Sequence, residues 1–359
     1  MTNIPKISLF AWGANSHGQL AIGVESEMEV LPVEVDTSFL EAEILQISGG
    51  GGHTLILDTA GRVYSCGWNS RGQLGIGNQE NTSRFVKIPQ SSFLGKRIRS
   101  IACGWDNSGA VTEDGELFVW GSNKFGQLGM QDTGSVSQLD IPQKVCLPDR
   151  VLAVDFGLRH LCILAEGGTI YFAGKSKCLT AIEDKSCVQK FGGFLSFSGE
   201  KIVKIATGQH HFVYQIHSGE INTVGDNKFN QLADDSLKNF ASETVDLKSG
   251  WTHSGLLTKS GKVFLWGRNV YGQIGQIPEG QSVATPTELD ICDVREFHLG
   301  SEHGLCVSMA GDVFTWGWNE HGNCGNGSTK DVFKPQKVNL PGKCAVAGVG
   351  AGFCFTAVR

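Results

Sequence analysis

The sequence has no apolar run long enough to cross a membrane, and it does not begin like a cleavable signal. A bilayer span needs about 18 consecutive apolar residues, whereas the 359 residues here contain only short apolar stretches and are 18% charged. The opening MTNIPKISLF is not organised as a signal peptide. We therefore expect a protein without a membrane span, located in the cytoplasm, with the nucleus as a second location.

Clustered positive charge, metal-ligand spacing and catalytic motifs are also absent. Nucleic-acid binding requires grouped cations, but the net charge is −6 and there is no Lys/Arg-rich tail, so nucleic acid is not an expected partner. The 11 cysteines include no CxxC pair or His/Cys cluster, which predicts reduced thiols and neither a metal nor another cofactor. The motifs GxSxG, GxxxxGKS/T and HExxH are missing, so we expect no covalent catalysis.

Glycine, in contrast, is abundant and recurs at regular intervals. There are 48 glycines, about double the average share of roughly 7%. A phrase containing Trp-Gly or a variant of it, first seen as LFAWGANSHGQL, occurs seven times with spacings of 42 to 54 residues. Its glycines are Gly13, Gly67, Gly121, Gly174, Gly225, Gly267 and Gly317. Seven copies at this period indicate a repeat architecture.

A second phrase, G-x-x-H or a variant, precedes six of these glycines by about fifteen residues. The sequence between the two phrases alternates apolar and polar residues around a turn, as in HTLILDTAGRVYSCG, which is typical of a β-hairpin. A third apolar stretch, such as KIVKIATG, comes before the G-x-x-H phrase. Each repeat is therefore predicted to form three or four short antiparallel strands.

Repeats of this size and all-β character predict a seven-bladed β-propeller, as one domain over residues 1–359. The first residues contain only the second half of a repeat, and the last residues, CAVAGVGAGFCFTAVR, only the first half. We therefore expect one blade to be assembled from both ends of the chain, which closes the ring. Irregular outer strands or loops are expected at FAGKSKCLTAIEDKSCVQKFGG and after Gly225, where the pattern or the spacing changes.

The WGxNxxGQLG and G-x-x-H phrases resemble the regulator of chromosome condensation repeat over essentially the whole chain. Within that family, FAWGANSHGQL, ACGWD and WGWNEHGNCGNG are most similar to a cytosolic, single-propeller branch of exchange factors that regulate secretion. The resemblance implies a seven-bladed ring and a protein partner, either a small GTPase or an exocyst subunit. We expect a monomer that acts as a guanine nucleotide exchange factor or, alternatively, as a scaffold or adaptor without exchange activity.

The two positions between Gly and His vary among repeats whose other residues recur. Recurring residues hold a repeated scaffold together, so the variable ones are candidates for facing a partner around the central channel. In the family's Ran exchange factor these positions engage the GTPase, and the resemblance implies the same role here. The candidates are Trp105, Asp106, Arg159, His210, Trp251, Thr252 and Glu302.

The two tryptophans have the character of binding hot spots. Packing over the channel mouth is the alternative for both Trp105 and Trp251. For Asp106 and Glu302 the alternative is a solvated charge at the rim. A light sensor would need tryptophans in the same slot of adjacent blades, and only the second and fifth blades have them, so we expect no excitonic coupling.

The recurring residues are predicted to be structural. We expect the G-x-x-H glycines to permit a tight backbone path, the histidines to satisfy buried backbone groups, and the WGxN asparagines to form turns. Four tryptophans are expected to pack between blades, namely Trp12, Trp120, Trp266 and Trp316. A hairpin wedge of the kind found in exchange factors has one candidate, MQDTGSVSQLDIPQ after Gly129, and an ordinary outer loop is the alternative for this segment.

Overall fold

The computed structural model describes residues 7–130, 136–177, 188–191, 194–197 and 200–359. Its regular structure is almost entirely strand, with short 3-10 helices at Gln90–Phe93, Glu166–Gly168 and Asp235–Phe240. Seven antiparallel sheets surround a central channel, which confirms the predicted seven-bladed β-propeller. Over the described ranges, no helix has the length and apolar character that a membrane span requires.

The strands are numbered in chain order and grouped into blades 1 to 7. The chain starts with β1 (Ser8–Ala14) and β2 (Met28–Val35). Blade 1 consists of β3 (Ile44–Gly49), β4 (His53–Asp58), β5 (Val63–Gly67) and β6 (Thr82–Lys87). Blade 2 consists of β7 (Ile98–Cys103), β8 (Asn107–Thr112), β9 (Leu117–Ser122) and β10 (Gln138–Val145).

The remaining strands complete the ring. Blade 3 contains β11 (Val151–Phe156), β12 (His160–Ala165), β13 (Ile170–Gly174), β14 (Val188–Phe191) and β15 (Phe194–Phe197). Blade 4 contains β16 (Ile202–Thr207), β17 (His211–Ile216) and β18 (Ile221–Gly225). Blade 5 contains β19 (Thr244–Ser249), β20 (His253–Thr258), β21 (Val263–Arg268) and β22 (Ser282–Glu288). Blade 6 contains β23 (Val294–Leu299), β24 (His303–Ser308), β25 (Val313–Gly317) and β26 (Val332–Lys337), and the last two strands are β27 (Cys344–Val349) and β28 (Phe353–Val358).

Blade 7 combines the two ends of the chain, as predicted. Its strand order is β2-β1-β28-β27, and β1 runs antiparallel to β28 with Ala11 opposite Phe355 and Ser8 opposite Val358. The inner strand β27 also contacts β3 of blade 1 and β23 of blade 6. The ring is therefore closed by hydrogen bonds between the first and last strands.

Blades 3 and 4 are irregular, in agreement with the broken repeat pattern. In blade 3 the strand order is β11-β12-β13-β15-β14, so an extra hairpin lies outside the third strand. Blade 4 has three strands, and the 3-10 helix Asp235–Phe240 packs against its third strand β18. The shortest repeat thus ends in a helical turn instead of a fourth strand.

The four predicted core tryptophans are fully buried. Each donates its indole N–H to a backbone carbonyl in the loop of the preceding blade at 2.8–3.0 Å. The pairs are Trp12 with Asn323, Trp120 with Gln73, Trp266 with Gln231, and Trp316 with Gln273. Because a buried indole N–H needs an acceptor, these contacts fix four of the blades against the blade that precedes each of them.

Candidate functional site

Both repeated phrases end on the same face of the ring. The second and third strands of every blade are antiparallel, and the residue that ends G-x-x-H lies opposite the glycine of the Trp-Gly phrase. His53 lies opposite Gly67 in blade 1, and Phe353 lies opposite Gly13 in blade 7. The turns before the second strands and the loops after the third strands therefore share one face, which we call the G-x-x-H face.

The loops after the third strands are held by their own polar side chains. In six of them the asparagine Oδ1 accepts a hydrogen bond from the backbone N–H five residues later, at 2.8–3.3 Å. In five, a glutamine Oε1 accepts one from the N–H two residues before it, at 2.8–2.9 Å. These bonds confirm the predicted turn role of asparagine.

The histidines of the G-x-x-H phrases are fully buried. Nε2 of His53 lies 2.8 Å from Oγ of Ser108 in blade 2, and Nε2 of His211 lies 2.7 Å from Oγ of Ser254 in blade 5. Burial lowers the pKa of His53 and of His211 to about 3, because the charged imidazolium loses its hydration. The rings are thus neutral, and the two contacts join neighbouring blades through side-chain hydroxyls instead of the predicted backbone groups.

The glycine of the G-x-x-H phrase supplies space. A Cβ atom on Gly50, Gly208 or Gly300 would lie 1.9–2.3 Å from Cε1 of the histidine three residues later. None of these three glycines has a positive φ. The same Cβ atoms would lie 2.3–2.7 Å from a backbone carbonyl of another G-x-x-H turn. The glycine therefore recurs because both the histidine ring and that close backbone occupy the place of its side chain, which agrees with the predicted tight backbone path.

Trp105 and Trp251 meet at the mouth of the channel. Their ring centroids are 5.3 Å apart at an interplanar angle of 50°, and both half-buried side chains line the channel. The backbone N–H of Trp251 donates to the carbonyl of Ser301 at 2.9 Å. A Cβ atom on Gly51 would lie 2.7 Å from the Trp105 ring, so glycine in blade 1 leaves the space for that ring. The pair forms an aromatic surface at the centre of the G-x-x-H face.

This contact corrects one sequence-based expectation. Trp105 and Trp251 belong to blades 2 and 5, and their separation along the ring predicted no excitonic coupling. Side chains that point into a narrow channel meet across it, so distance around the ring is the wrong measure. The two indoles are close enough to couple.

We expect an exciton couplet in the tryptophan bands of the circular dichroism spectrum, and we expect Trp105→Phe to remove it. The reason is that exciton coupling falls steeply with the distance between two indoles, and the substitution removes one indole of the close pair. Trp68→Phe is the matched control, since Trp68 lies on the same face and contacts His17, with ring centroids 5.4 Å apart. A couplet that survives Trp105→Phe, or that is lost in Trp68→Phe, would contradict the assignment.

Asp106, Arg159 and His210 lie on the G-x-x-H face with different degrees of exposure. Asp106 is half-buried, and burial raises its pKa although a hydrogen bond from Ser122 opposes the shift. Arg159 is exposed, and its guanidinium lies 4.4 Å from the centroid of the Phe125 ring. Burial lowers the pKa of the half-buried His210. These three side chains lie at the surface or close beneath it.

Thr252 and Glu302 are buried and bonded to each other. The hydroxyl of Thr252 donates to both carboxylate oxygens of Glu302, at 2.8 and 3.0 Å, and Nε2 of Gln273 donates to the same carboxylate at 2.6 Å. Arg268 adds an ion pair at 3.4 Å. Burial nevertheless raises the pKa of Glu302. This cluster joins blades 5 and 6, so Glu302 is not the solvated rim charge considered as an alternative.

All seven predicted positions lie on the G-x-x-H face, but they form two groups. One group of five residues is exposed or half-buried, and the other, Thr252 with Glu302, is buried between blades 5 and 6. Contact with a partner stays a prediction for all seven.

Sequence reasoning missed an outer set of residues on the same face. The position two residues after the WGxN asparagine carries an aromatic or histidine ring in five loops, namely His17, Phe125, Phe229, Tyr271 and His321. His17 contacts Trp68, and His321 contacts Trp318. The signal was available, because these positions also vary within a recurring phrase; they were interpreted as turn residues along with the asparagine.

The candidate wedge is only partly described. Gln138–Val145 forms β10, which pairs with β9 as the outer strand of blade 2. Residues 131–135 lie outside the described part of the chain. Most of the described half of this segment is therefore ordinary sheet, and a wedge in the other half stays untested.

Seven blades, each with a G-x-x-H turn or a variant of it and six of them with a loop held by asparagine, define a β-propeller with one face of variable residues. The chain belongs to the RCC1-like domain family, whose model matches residues 8–358.

Curated relatives and solved structures agree with this assignment. The chain is 33% identical to the secretion-regulating guanine nucleotide exchange factor of Bos taurus, covering 96% of this chain and 81% of that protein. It is 31% identical to the ultraviolet-B receptor UVR8 of Arabidopsis thaliana, covering 83% of this chain and 70% of that protein. Among solved structures, Prp20p of Saccharomyces cerevisiae has a TM-score of 0.85 at 23% identity, covering 100% of this chain and 92% of that chain. That likeness shows the shared fold.

Proposed function

We propose that this protein binds a small GTPase on its G-x-x-H face and accelerates release of the bound guanine nucleotide. The observation that carries the proposal is the contact of Trp105 with Trp251, which forms a half-exposed aromatic surface at the centre of that face. Aromatic residues at the centre of an interface typically dominate its binding energy. The relatives named as guanine nucleotide exchange factors support the choice of partner class, as does Prp20p, whose structure was reported with its binding to Gsp1p and histones.

The mechanism requires no covalent chemistry. A GTPase holds its nucleotide through Mg²⁺ and a loop of backbone N–H groups around the phosphates. A partner that binds the nucleotide-free form more tightly than the loaded form lowers the nucleotide affinity by that difference. In this proposal the tryptophan pair supplies binding energy, while Asp106, Arg159 and His210 contact the GTPase around it.

Release of a fluorescent guanine nucleotide from a panel of purified small GTPases tests the proposal. We expect acceleration for at least one GTPase, a loss of about 30-fold in affinity for Trp105→Ala alone, since one hot-spot residue contributes about 2 kcal/mol, and a larger loss when Trp251→Ala is added. Met309→Ala is the control, because Met309 is 71% exposed and lies in the turn after β24, on the opposite face. If no GTPase is bound or accelerated, the proposal is wrong.

A second function, binding without exchange, is favoured by the described half of the candidate wedge. Most of that half is the outer strand β10, which leaves less chain to project into a partner. Binding of a GTPase with an unchanged rate of nucleotide release would identify the protein as a scaffold or adaptor.

We also propose that the partner belongs to the secretory machinery, with an exocyst subunit as an alternative partner, and that the protein acts as a monomer in the cytoplasm and the nucleus. The likeness to the secretion-regulating exchange factors supports the first part. Pull-down with purified exocyst subunits, sedimentation of the free protein and imaging of a tagged chain test these points separately.

A further inference from the structure

Cations are concentrated on one side of the G-x-x-H face, although the chain has a net charge of −6. Six of them follow one another across blades 2 to 5, in the G-x-x-H turn of blade 3 and in or just before the loops after the third strands. This set, the basic arc, consists of Lys124, Arg159, Lys175, Lys177, Lys228 and Arg268. In the described part of the chain, two carboxylates pair with members of the arc, Asp226 with Lys177 at 3.0 Å and the buried Glu302 with Arg268 at 3.4 Å.

The cations at both ends of the arc are held on aromatic rings. Arg159 lies 4.4 Å and Lys124 lies 5.8 Å from the centroid of the Phe125 ring. The arrangement is repeated two blades on, where Arg268 lies 4.9 Å and Lys228 lies 5.0 Å from the centroid of Phe229. Within about 6 Å of a ring face such contacts are attractive. They order long side chains before a partner arrives, which reduces the entropy cost of binding.

Several cations of the basic arc remain able to pair with a carboxylate of a partner. Among the described residues no carboxylate lies within ion-pair distance of Lys124, Arg159, Lys175 or Lys228. Arg268 is also flanked by the Tyr271 ring, whose centroid is 5.0 Å away. The two rings restrict the guanidinium of Arg268, which donates one N–H to Glu302.

We propose that the basic arc is the docking surface for an acidic segment of a partner protein, rich in aspartate and glutamate. The partner's carboxylates contact the arc, and an adjacent apolar side chain contacts the Trp105–Trp251 pair. The inference rests on the proposed function for the choice of face, but it specifies the partner's charge and does not require nucleotide exchange.

A surface that combines basic and aromatic side chains can also bind single-stranded nucleic acid. Such binding requires open ring faces on which bases stack. In the basic arc the faces of Phe125 and Phe229 are occupied by the protein's own cations. The geometry therefore favours carboxylates.

Fluorescence anisotropy with three labelled probes tests this inference on the full chain: a peptide of alternating glutamate and alanine, its lysine counterpart, and oligothymidine. We expect the glutamate peptide to bind, to bind more weakly as salt is raised, and to lose about tenfold in affinity when Arg159→Glu and Lys228→Glu are combined. Phe125→Leu, which keeps every charge but removes a ring, is expected to cause a smaller loss.

The matched control reverses two exposed cations on the opposite face, Lys201→Glu with Lys259→Glu, and is expected to leave binding unchanged. The proposal is overturned if the glutamate peptide does not bind, if the control pair weakens it equally, or if oligothymidine or the lysine peptide binds more tightly. Thermal melting confirms that each variant is folded. Peptide binding without acceleration of any GTPase would leave this inference standing and remove the proposed exchange activity.

Discussion

Deletion of residues 1–14 is expected to abolish the cooperative unfolding transition of the entire ring. The deletion removes β1, the strand that lies between β28 and β2 in blade 7. Leu9, Ala11 and Trp12 on this strand are fully buried. Loss of a buried tryptophan side chain alone costs about 3–5 kcal/mol, and a whole domain is stable by about 5–15 kcal/mol. The free energy lost with the strand is therefore expected to exceed the free energy of unfolding of the ring.

Thermal melting followed by circular dichroism measures this effect, and a circular permutant provides the control. Ser8 pairs with Val358, so a short turn can join Arg359 to Ile7, with new ends between Glu279 and Gly280, where a Cβ on Gly280 would meet nothing within 4 Å. The permutant keeps β1 in place and is expected to melt within a few degrees of the natural chain, because exposed loops tolerate new termini. A truncated chain that melts like the full chain would show that blade 7 does not hold the ring.

Stability is expected to fall steeply as the pH drops below about 6.5, because the five G-x-x-H histidines are buried and neutral. The pKa is lowered to about 3 for His53, His160, His211 and His253, and to about 4 for His303, with burial as the first cause in each. An unfolded histidine titrates near 6.5, so at lower pH the unfolded chain binds more protons than the folded one. Each histidine then removes up to about 1.4 kcal/mol of the free energy of unfolding per pH unit.

Urea unfolding between pH 7 and pH 5 measures this slope. His253→Asn removes one buried imidazole and introduces the residue that blade 2 uses in the same position, Asn107. We expect the free energy of unfolding to depend less steeply on pH in this variant, by up to about 1.4 kcal/mol per pH unit. His217→Asn changes an exposed histidine and serves as the control. An unchanged slope in His253→Asn would contradict the role assigned to the buried rings.

The ring and its closure were predictable because they depend on features that repeat. Seven phrases at a common spacing define seven blades, and half-repeats at the two ends define the shared blade. The packing of Trp12 and its three counterparts followed from the same alternation. Periodic patterns report which residues share an element, and that information is sufficient for this architecture.

The site was less predictable from the sequence. Its contacts join residues of different blades, and the repeat pattern does not show which of these residues meet. Trp105 and Trp251 meet because of the width of the channel, which no local pattern encodes. Asp106 and Glu302 occupy the same slot in blades 2 and 6, yet Glu302 is buried because Thr252, Gln273 and Arg268 happen to surround it. In this propeller the position of a residue within the repeat predicts on which face of the ring it lies. The neighbouring blade determines which groups its side chain contacts.

The shared blade also imposes an order on biosynthesis. The apolar strand β1 leaves the ribosome long before its partner β28, which follows only when residues 353–358 have been made. Pairing between such distant segments is slow, and an unpaired apolar strand invites association with other chains. The nascent protein must therefore keep β1 shielded until β28 has been made.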